Sequence, residues 1–312
     1  MSTLQDTSWS LLLDRISEGR CTPFLGAGAC TPAVPLGSAV AAELPKKVAE
    51  KLKRPCEYPF AAERNDLAAV SQWLAVLFDP PWVKGEVSKI INGSITSRGL
   101  PKFGQNDEIH GVLAQFPLPI YLTTNYDPFM FEALRWAAQN GTRSNIKPHA
   151  EYCRWHKDLR ANMVGLPTVE ASNSAPLVYH LHGWLPEPKT MVLTEEDYED
   201  FIVELSVNKN LIPHQVMRAI SDTALLFVGY SLRDWNLRVL LRAVVKSVDR
   251  NTRMKGVTVQ LDPGDYSDAA RSYLESKFKF IDLDVYWGSA ASFAGELMAK
   301  WRERQSTLEP AA

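Results

Sequence analysis

The 312-residue sequence is poor in cysteine: it has four, Cys21, Cys30, Cys56 and Cys153, and no two form a C-x-x-C pair. That argues against a structural zinc site and against a disulfide framework in a chain of this size, and it fits a reducing cytoplasm. An excess of charge is missing too. With 34 Lys+Arg against 36 Asp+Glu the net charge is -2, so the chain as a whole lacks the electrostatic footprint of nonspecific nucleic-acid or anionic-membrane binding. Long apolar runs are absent from the N-terminus. "MSTLQDTSWSLLLDRISEGR" offers only three consecutive leucines with acidic residues nearby, too short for a secretory h-region or a membrane span, and reads as an amphipathic helix. No internal repeat is visible, and "RQSTLEPAA" reads as a frayed tail.

What is present is ordinary globular material, 46% hydrophobic and 22% charged, enough to bury a substantial core. "CTPFLGAG", "LPIYLTTNYD", "PLVYHLHGW", "TALLFVGYS", "GVTVQLD" and "FIDLDVYWG" are short apolar, β-branched or aromatic runs bounded by turn residues, hence buried strands. "PFMFEALRWAAQ", "DWNLRVLLRAVVKSV" and "YSDAARSYLESKF" carry apolar residues at helical spacing between them. The alternation predicts an α/β fold, a Rossmann-like doubly wound parallel sheet of about six strands, with ligands gathered at the strands' carboxyl ends. The expected organisation is a single domain: a core over about 20–37 and 117–290, a helical insert after the first strand over about 38–116, and a C-terminal helix over about 291–304. "INGSITSRGLPKFGQND", rich in Gly and Ser, reads as a mobile loop, and Trp82, Trp155 and Trp301 as either core or contact aromatics.

Four stretches at strand ends carry the candidate chemistry. In "FLGAGAC", the turn Gly26, Ala27, Gly28 would let a backbone approach a diphosphate beside a helix N-terminus, or it is a tight turn with no ligand; Pro32 and Ala33 stand where a dinucleotide fingerprint has its third glycine. In "TTNYDPF", Thr124, Asn125 and Asp127 could hydrogen-bond ribose hydroxyls and a carboxamide, or Asn125 is a turn former and Asp127 a helix cap. In "YHLHGW", His180 and His182 share a strand face. Two histidines with no third ligand make a poor metal site, His180 suits the core, and His182 has the type and pKa of a general base near neutral pH. In "LLFVGYSLRDWNLRVLL", Gly229 permits close backbone approach, Tyr230 and Ser231 follow it, with Ser231 able to bond a phosphate or ribose, and Asp234 could cap a helix.

Together, and in this order, "GAG", "TTNYD", "HLHG" and "VGYSLRD" resemble the sirtuin family, and within it the sirtuin-like domains of bacterial antiphage defence, which also resemble this chain in "DLAAVSQWLAV" and "LTEEDYEDF". Deacylase sirtuins carry a zinc ribbon after the catalytic histidine; here no cysteine follows Cys153, Cys30 replaces the family's usual serine, and Thr124 its glutamine. The resemblance implies NAD as substrate and no metal. It implies catalysis by Asn125 and His182, with Gly26, Ala27, Gly28, Thr124, Asp127, Gly229, Tyr230 and Ser231 binding the dinucleotide. The implied activity is cleavage of NAD to nicotinamide and ADP-ribose in abortive infection. No segment reads as a sensor, so gating is expected from a homo-oligomer or a separately encoded partner such as a HerA-type ATPase, with no nucleic-acid or membrane contact. A non-catalytic NAD or ADP-ribose sensor, and a protein deacylase or ADP-ribosyltransferase, are the alternatives.

Overall fold

The structure, a computed structural model, describes residues 4–160, 169–230, 254–261, 268–279 and 281–308. Helix α1 (Asp6–Ser17) buries Trp9, Leu12, Leu13 and Ile16, the spacing of one helical face. β1 (Cys21–Leu25) is buried along its whole length and passes into a single 3-10 turn, Ala27–Cys30. Four helices follow: α2 (Gly37–Leu52), α3 (Leu67–Leu77), α4 (Pro80–Arg98) and α5 (Ile109–Ala114). Then come β2 (Ile120–Thr123), α6 (Phe129–Gln139), β3 (His149–Tyr152), the single-turn α7 (Lys157–Arg160) and β4 (Leu177–His180). The chain continues through α8 (Glu195–Val207), α9 (His214–Asp222), β5 (Ala224–Val228) and β6 (Gly256–Gln260), and ends in α10 (Asp268–Lys279), β7 (Leu283–Trp287) and α11 (Ala290–Leu308).

The strands form one seven-stranded, fully parallel sheet in the order β3-β4-β2-β1-β5-β6-β7. Parallel strands need helices over both faces, which is why β1, β2, β4, β5 and β6 are buried throughout. From β1 the chain builds outward on one side through β2, then crosses back after β4 to add β5 on the other. The β1/β5 seam is therefore the topological switch point, where a doubly wound sheet opens a crevice beyond its carboxyl ends.

Two expectations change, and one left open is resolved. The sheet has seven strands, because β3 is a half-exposed edge strand, "HAEY", without the apolar run that marks the other six. "INGSITSR" is no loop but the last two turns of α4, which stops at Gly99 with φ +79°. Ile90 and Ile91 are buried on its inner face, the Ser94 hydroxyl donates to the Ala33 carbonyl at 3.1 Å, and the Arg98 guanidinium donates to the Pro32 carbonyl. This end of α4 thus holds the segment that follows the glycine turn. The three tryptophans pack within the chain: Trp155 is buried, Trp82 stacks on Phe78 with centroids 4.4 Å apart, and Trp301 meets Phe116 edge-on at 4.9 Å. The predicted helix "DWNLRVLLRAVVKSV", with its Asp234 cap, lies outside the described residues.

Candidate functional site

A cleft of about 900 Å³ opens at the switch point. Ala27, Gly28, Thr124, Asn125, Asp127, His182, Gly229 and Tyr230 all line it, brought there from the ends of β1, β2, β4 and β5. Gly26 does not line it, and Ser231 lies outside the described residues. Asn65 and Asp66, the latter capping α3, also line the cleft, as do Gln260 at the end of β6 and Ser289 after β7. Nothing in the residue pattern singled these out.

The glycine turn is built by backbone packing against the end of β5. The amide of Gly26 donates to the Val228 carbonyl at 2.9 Å, that of Gly28 to the Gly229 carbonyl at 2.8 Å, and that of Ala29 to the Gly26 carbonyl at 2.9 Å. A Cβ on Gly26 would come within 2.8 Å of the Tyr230 ring, and one on Gly28 within 3.0 Å of Gly229. Gly229 itself has φ +83°, and a Cβ there would lie 2.3 Å from the Ala29 nitrogen. So the amides of both turn glycines are committed to the protein. These two N-H groups are not free to bond a phosphate, and the turn is followed by a 3-10 turn rather than the N-terminus of an α-helix.

Asn125 is held on every side but one. Its Nδ2 donates to the Gly26 carbonyl and to the Cys30 sulfur, both at 2.9 Å, its backbone amide donates to Thr123 Oγ1 at 2.9 Å, and its carbonyl accepts from His180 Nδ1 at 2.9 Å. A carbonyl can only accept, so Nδ2 must face Gly26, and Oδ1 is left as the amide's remaining hydrogen-bonding atom. The same reasoning puts a hydrogen on His180 Nδ1. Burial lowers the pKa of His180, keeping the ring neutral, and its Nε2 is buried with no hydrogen-bond partner among the described residues. His180 is thus the core histidine of the pair, buttressing Asn125.

Asp127, buried, accepts from the Phe129 amide at 3.0 Å and from the Cys30 thiol at 3.0 Å, so it holds the first amide of α6 while facing the cleft. An ionised carboxylate keeps further lone pairs for a ligand. Thr124 Oγ1 pairs with the Tyr230 hydroxyl at 2.9 Å, and that hydroxyl also reaches the Leu25 carbonyl at 2.8 Å, tying the ends of β1, β2 and β5 together. Burial and the nearby Asp127 carboxylate push the Cys30 thiol well above its usual range, so it stays protonated.

His182 stands two residues beyond β4, buried, with Tyr198 and Phe201 of α8 edge-on to its ring at centroid distances of 5.3 and 5.2 Å. Its carbonyl accepts from the Val192 amide at 2.8 Å. Burial alone pulls its pKa to about 4, below the near-neutral value expected from residue type, because no carboxylate faces the ring among the described residues to offset desolvation. It is neutral at pH 7, able to accept a proton but a weaker base than a solvated histidine. Among the described residues no group of three His, Cys, Asp or Glu side chains is arranged to hold a metal, and no helix is long and apolar enough to cross a membrane.

An open parallel α/β sheet with a polar, histidine-bearing cleft at its switch point is a doubly wound architecture of the kind that takes ligands beyond the carboxyl ends of its strands. A family model described as "SIR2-like domain" matches residues 119–280, just over half of the chain, and the chain belongs to that family. Among curated proteins it is 26% identical over 194 residues to the NAD(+) hydrolase ThsA of Bacillus cereus (strain MSX-D12), covering 61% of this chain and 34% of that one. It is 25% identical over 202 residues to the NAD(+) hydrolase ThsA of Acinetobacter baumannii (strain 532279), covering 64% and 37%, and 26% identical over 157 residues to that of Enterococcus faecium, covering 49% and 29%. The chain thus spans about a third of the length of these relatives. A solved chain described as "Structural Basis for the Mechanism and Regulation of Sir2 Enzymes" aligns over 96% of this chain and 100% of its own at 12% identity and a TM-score of 0.36.

Proposed function

We propose that the cleft binds NAD and hydrolyses its nicotinamide–ribose bond, and that the chain is an NAD hydrolase effector of antiphage defence. The observation that carries the reading is the convergence of Asn125, Asp127 and His182 on one cleft at the switch point, in a SIR2-like chain whose curated relatives are named NAD(+) hydrolases. The C–N glycosidic bond breaks with its electron pair leaving on the pyridine nitrogen, which makes nicotinamide neutral. Water forms the new C–O bond to the anomeric carbon, and one proton is released. Positive charge builds on the ribose in the transition state, so acceptors fixed beforehand around it lower the barrier.

In this reading Asn125 Oδ1 accepts a hydrogen bond from a ribose hydroxyl or from the attacking water. Asp127 supplies negative charge and an acceptor to the ribose or carboxamide. Neutral His182 accepts a proton from a ribose hydroxyl or that water as charge develops. Ala27, Gly28, Gly229 and Tyr230 are assigned to the diphosphate and adenosine side, with Gly26 holding the turn against Val228, and Ser231 is assigned to the same side from its place in the sequence alone. No step uses a metal. Gating by a homo-oligomer, or by a separately encoded ATPase partner of the HerA type, completes the proposal, since an ungated enzyme of this kind would exhaust the cell's own NAD.

The low basicity of His182 favours one other reading, a module that binds NAD or ADP-ribose without turnover. Incubating the purified chain with NAD and following free nicotinamide separates the two: release that disappears in Asn125→Ala supports hydrolysis, and stoichiometric binding with no release under any activating condition supports the sensor. Release that depended on an added acyl-peptide would instead indicate a deacylase.

A further inference from the structure

Beneath the cleft floor lies a buried polar line that the reaction outlined above does not use. His110, 1% exposed, sits in the first turn of α5 and brings its Nδ1 to 2.7 Å from Glu108 Oε1. Its Nε2 faces the Cys30 sulfur at 3.9 Å, long but within reach for sulfur. Cys30 in turn receives a hydrogen bond from Asn125 Nδ2 and gives its own to Asp127 Oδ2. Glu108 is doubly fixed, since it also caps α5 by accepting from the amides of His110 at 3.2 Å and Gly111 at 2.6 Å. The helix cannot shift easily: a Cβ on Gly111 would fall 1.9 Å from the Phe103 carbonyl oxygen. A buried histidine–carboxylate pair is seldom the most stable way to fill a core, because desolvation offsets most of its attraction.

We propose that His110, held by Glu108, is a positioning residue for the cleft: it occupies one lone pair of the Cys30 sulfur, so that the thiol hydrogen is directed to Asp127 and the Asn125 carboxamide is locked with Oδ1 toward the ligand. The hydrogen-bond arithmetic follows. A thiol has one hydrogen. With His110 protonated, both ring nitrogens donate, Nδ1 to Glu108 and Nε2 to Cys30; Asn125 donates to the same sulfur, and the thiol hydrogen has Asp127 as its one acceptor. With His110 neutral and its hydrogen on Nδ1, Nε2 becomes an acceptor that competes for the thiol, and Asp127 loses its donor.

Among the described residues, the groups that face His110 from the elements packed around it are Glu108 at the head of its own helix, Cys30 after β1, Asp127 after β2, and the apolar ring of Phe129 on α6, edge-on with centroids 5.8 Å apart. Burial works against a charge on the imidazole, but the Glu108 hydrogen bond and the two carboxylate charges outweigh it and raise its pKa above 6.5. The arrangement is therefore a proton-dependent clamp that loosens as pH rises through the pKa of His110.

Only the kinetic arm of the test rests on the NAD-cleaving reading. The other arm is a histidine-selective NMR titration of the full chain, with the His110 resonance assigned through His110→Gln. The expected result is a His110 midpoint above 6.5 that falls in Glu108→Gln; a midpoint at or below 6.5, or one that ignores Glu108→Gln, overturns the proposal whether or not the chain is an enzyme. In the kinetic arm, the parent's kcat should decline at high pH, and His110→Phe should lower kcat at least tenfold with KM for NAD changed less than threefold and should remove that decline. Cys30→Ser, which keeps both hydrogen-bond directions, should lose less than Cys30→Ala. A His110→Phe protein with the parental kcat and pH profile, or a loss that appears wholly in KM, contradicts the positioning role; should His110→Phe fail to fold, Glu108→Gln carries the same comparison.

Discussion

Gly28 and Gly229, 201 positions apart in the chain, meet backbone to backbone at the switch point, the amide of the first donating to the carbonyl of the second at 2.8 Å. The contact sets the distance between the ends of β1 and β5, and with it the width of the cleft they line.

That contact leaves no room for side chains. Gly229→Ala forces φ +83° on a residue that resists it and drives a methyl into the Ala29 amide, so a loss of about 2–4 kcal/mol in unfolding free energy is expected. Gly28→Val should weaken NAD binding at least tenfold in calorimetric titration. Parental affinity in Gly28→Val would show that the dinucleotide does not pass over this seam.

Asn125→Asp is nearly isosteric but turns both donors into acceptors facing the Gly26 carbonyl and the Cys30 sulfur. Nicotinamide release should fall by roughly 10²–10³-fold, the scale of losing a preorganised polar group, with the fold intact by circular dichroism. Substantial retained release would remove Asn125 from the chemistry.

His182 gives a pH dependence of known sign. Its pKa is about 4 when folded against 6.5 for a free histidine, so below pH 6.5 the unfolded chain binds the proton that the folded chain refuses. Its burial is tolerated fully above pH 6.5 and costs progressively more as pH falls toward 4, to about 3 kcal/mol at the limit. His182→Gln should therefore show a shallower fall in melting temperature between pH 6.5 and 4 than the parent. Parallel curves would mean that the ring is solvated.

Lys84 of α4 and Asp197 of α8 form a buried ion pair at 2.9 Å, and Asp197 also accepts from the amides of Leu193 and Thr194 and completes a capping box. The next residue, Tyr198, packs on His182. Lys84→Met leaves a buried carboxylate without its cation and should cost about 3–5 kcal/mol in urea unfolding. A change below 1 kcal/mol would show that the pair is solvated in solution.

Much of this was legible in the residues. Five of the seven strands, β1, β2, β4, β5 and β6, read as short, mostly apolar runs because parallel strands covered on both faces are buried along their whole length, and their ends carry the polar motifs because there the sheet opens into the cleft. β3 escaped because an edge strand can be half polar and only four residues long. Gly26 and Gly28 were visible as a turn, but their reason, a second glycine at 229 pressed against them, exists only once β1 and β5 pair. Likewise "EIHGVLAQF" carries no signature: Glu108 and His110 are an ordinary cap and first turn until the fold sets them under Cys30. The depressed basicity of His182 comes from rings on α8, beyond the reach of any local motif.

The central claim is cleavage of NAD in this cleft, and the most direct measurement is free nicotinamide released from NAD by the purified chain, alone and with the product of a neighbouring gene. The account predicts stoichiometric nicotinamide and ADP-ribose in at least one of those conditions, abolished by Asn125→Ala. NAD left intact in both, or cleaved equally by the Asn125→Ala protein, would contradict it.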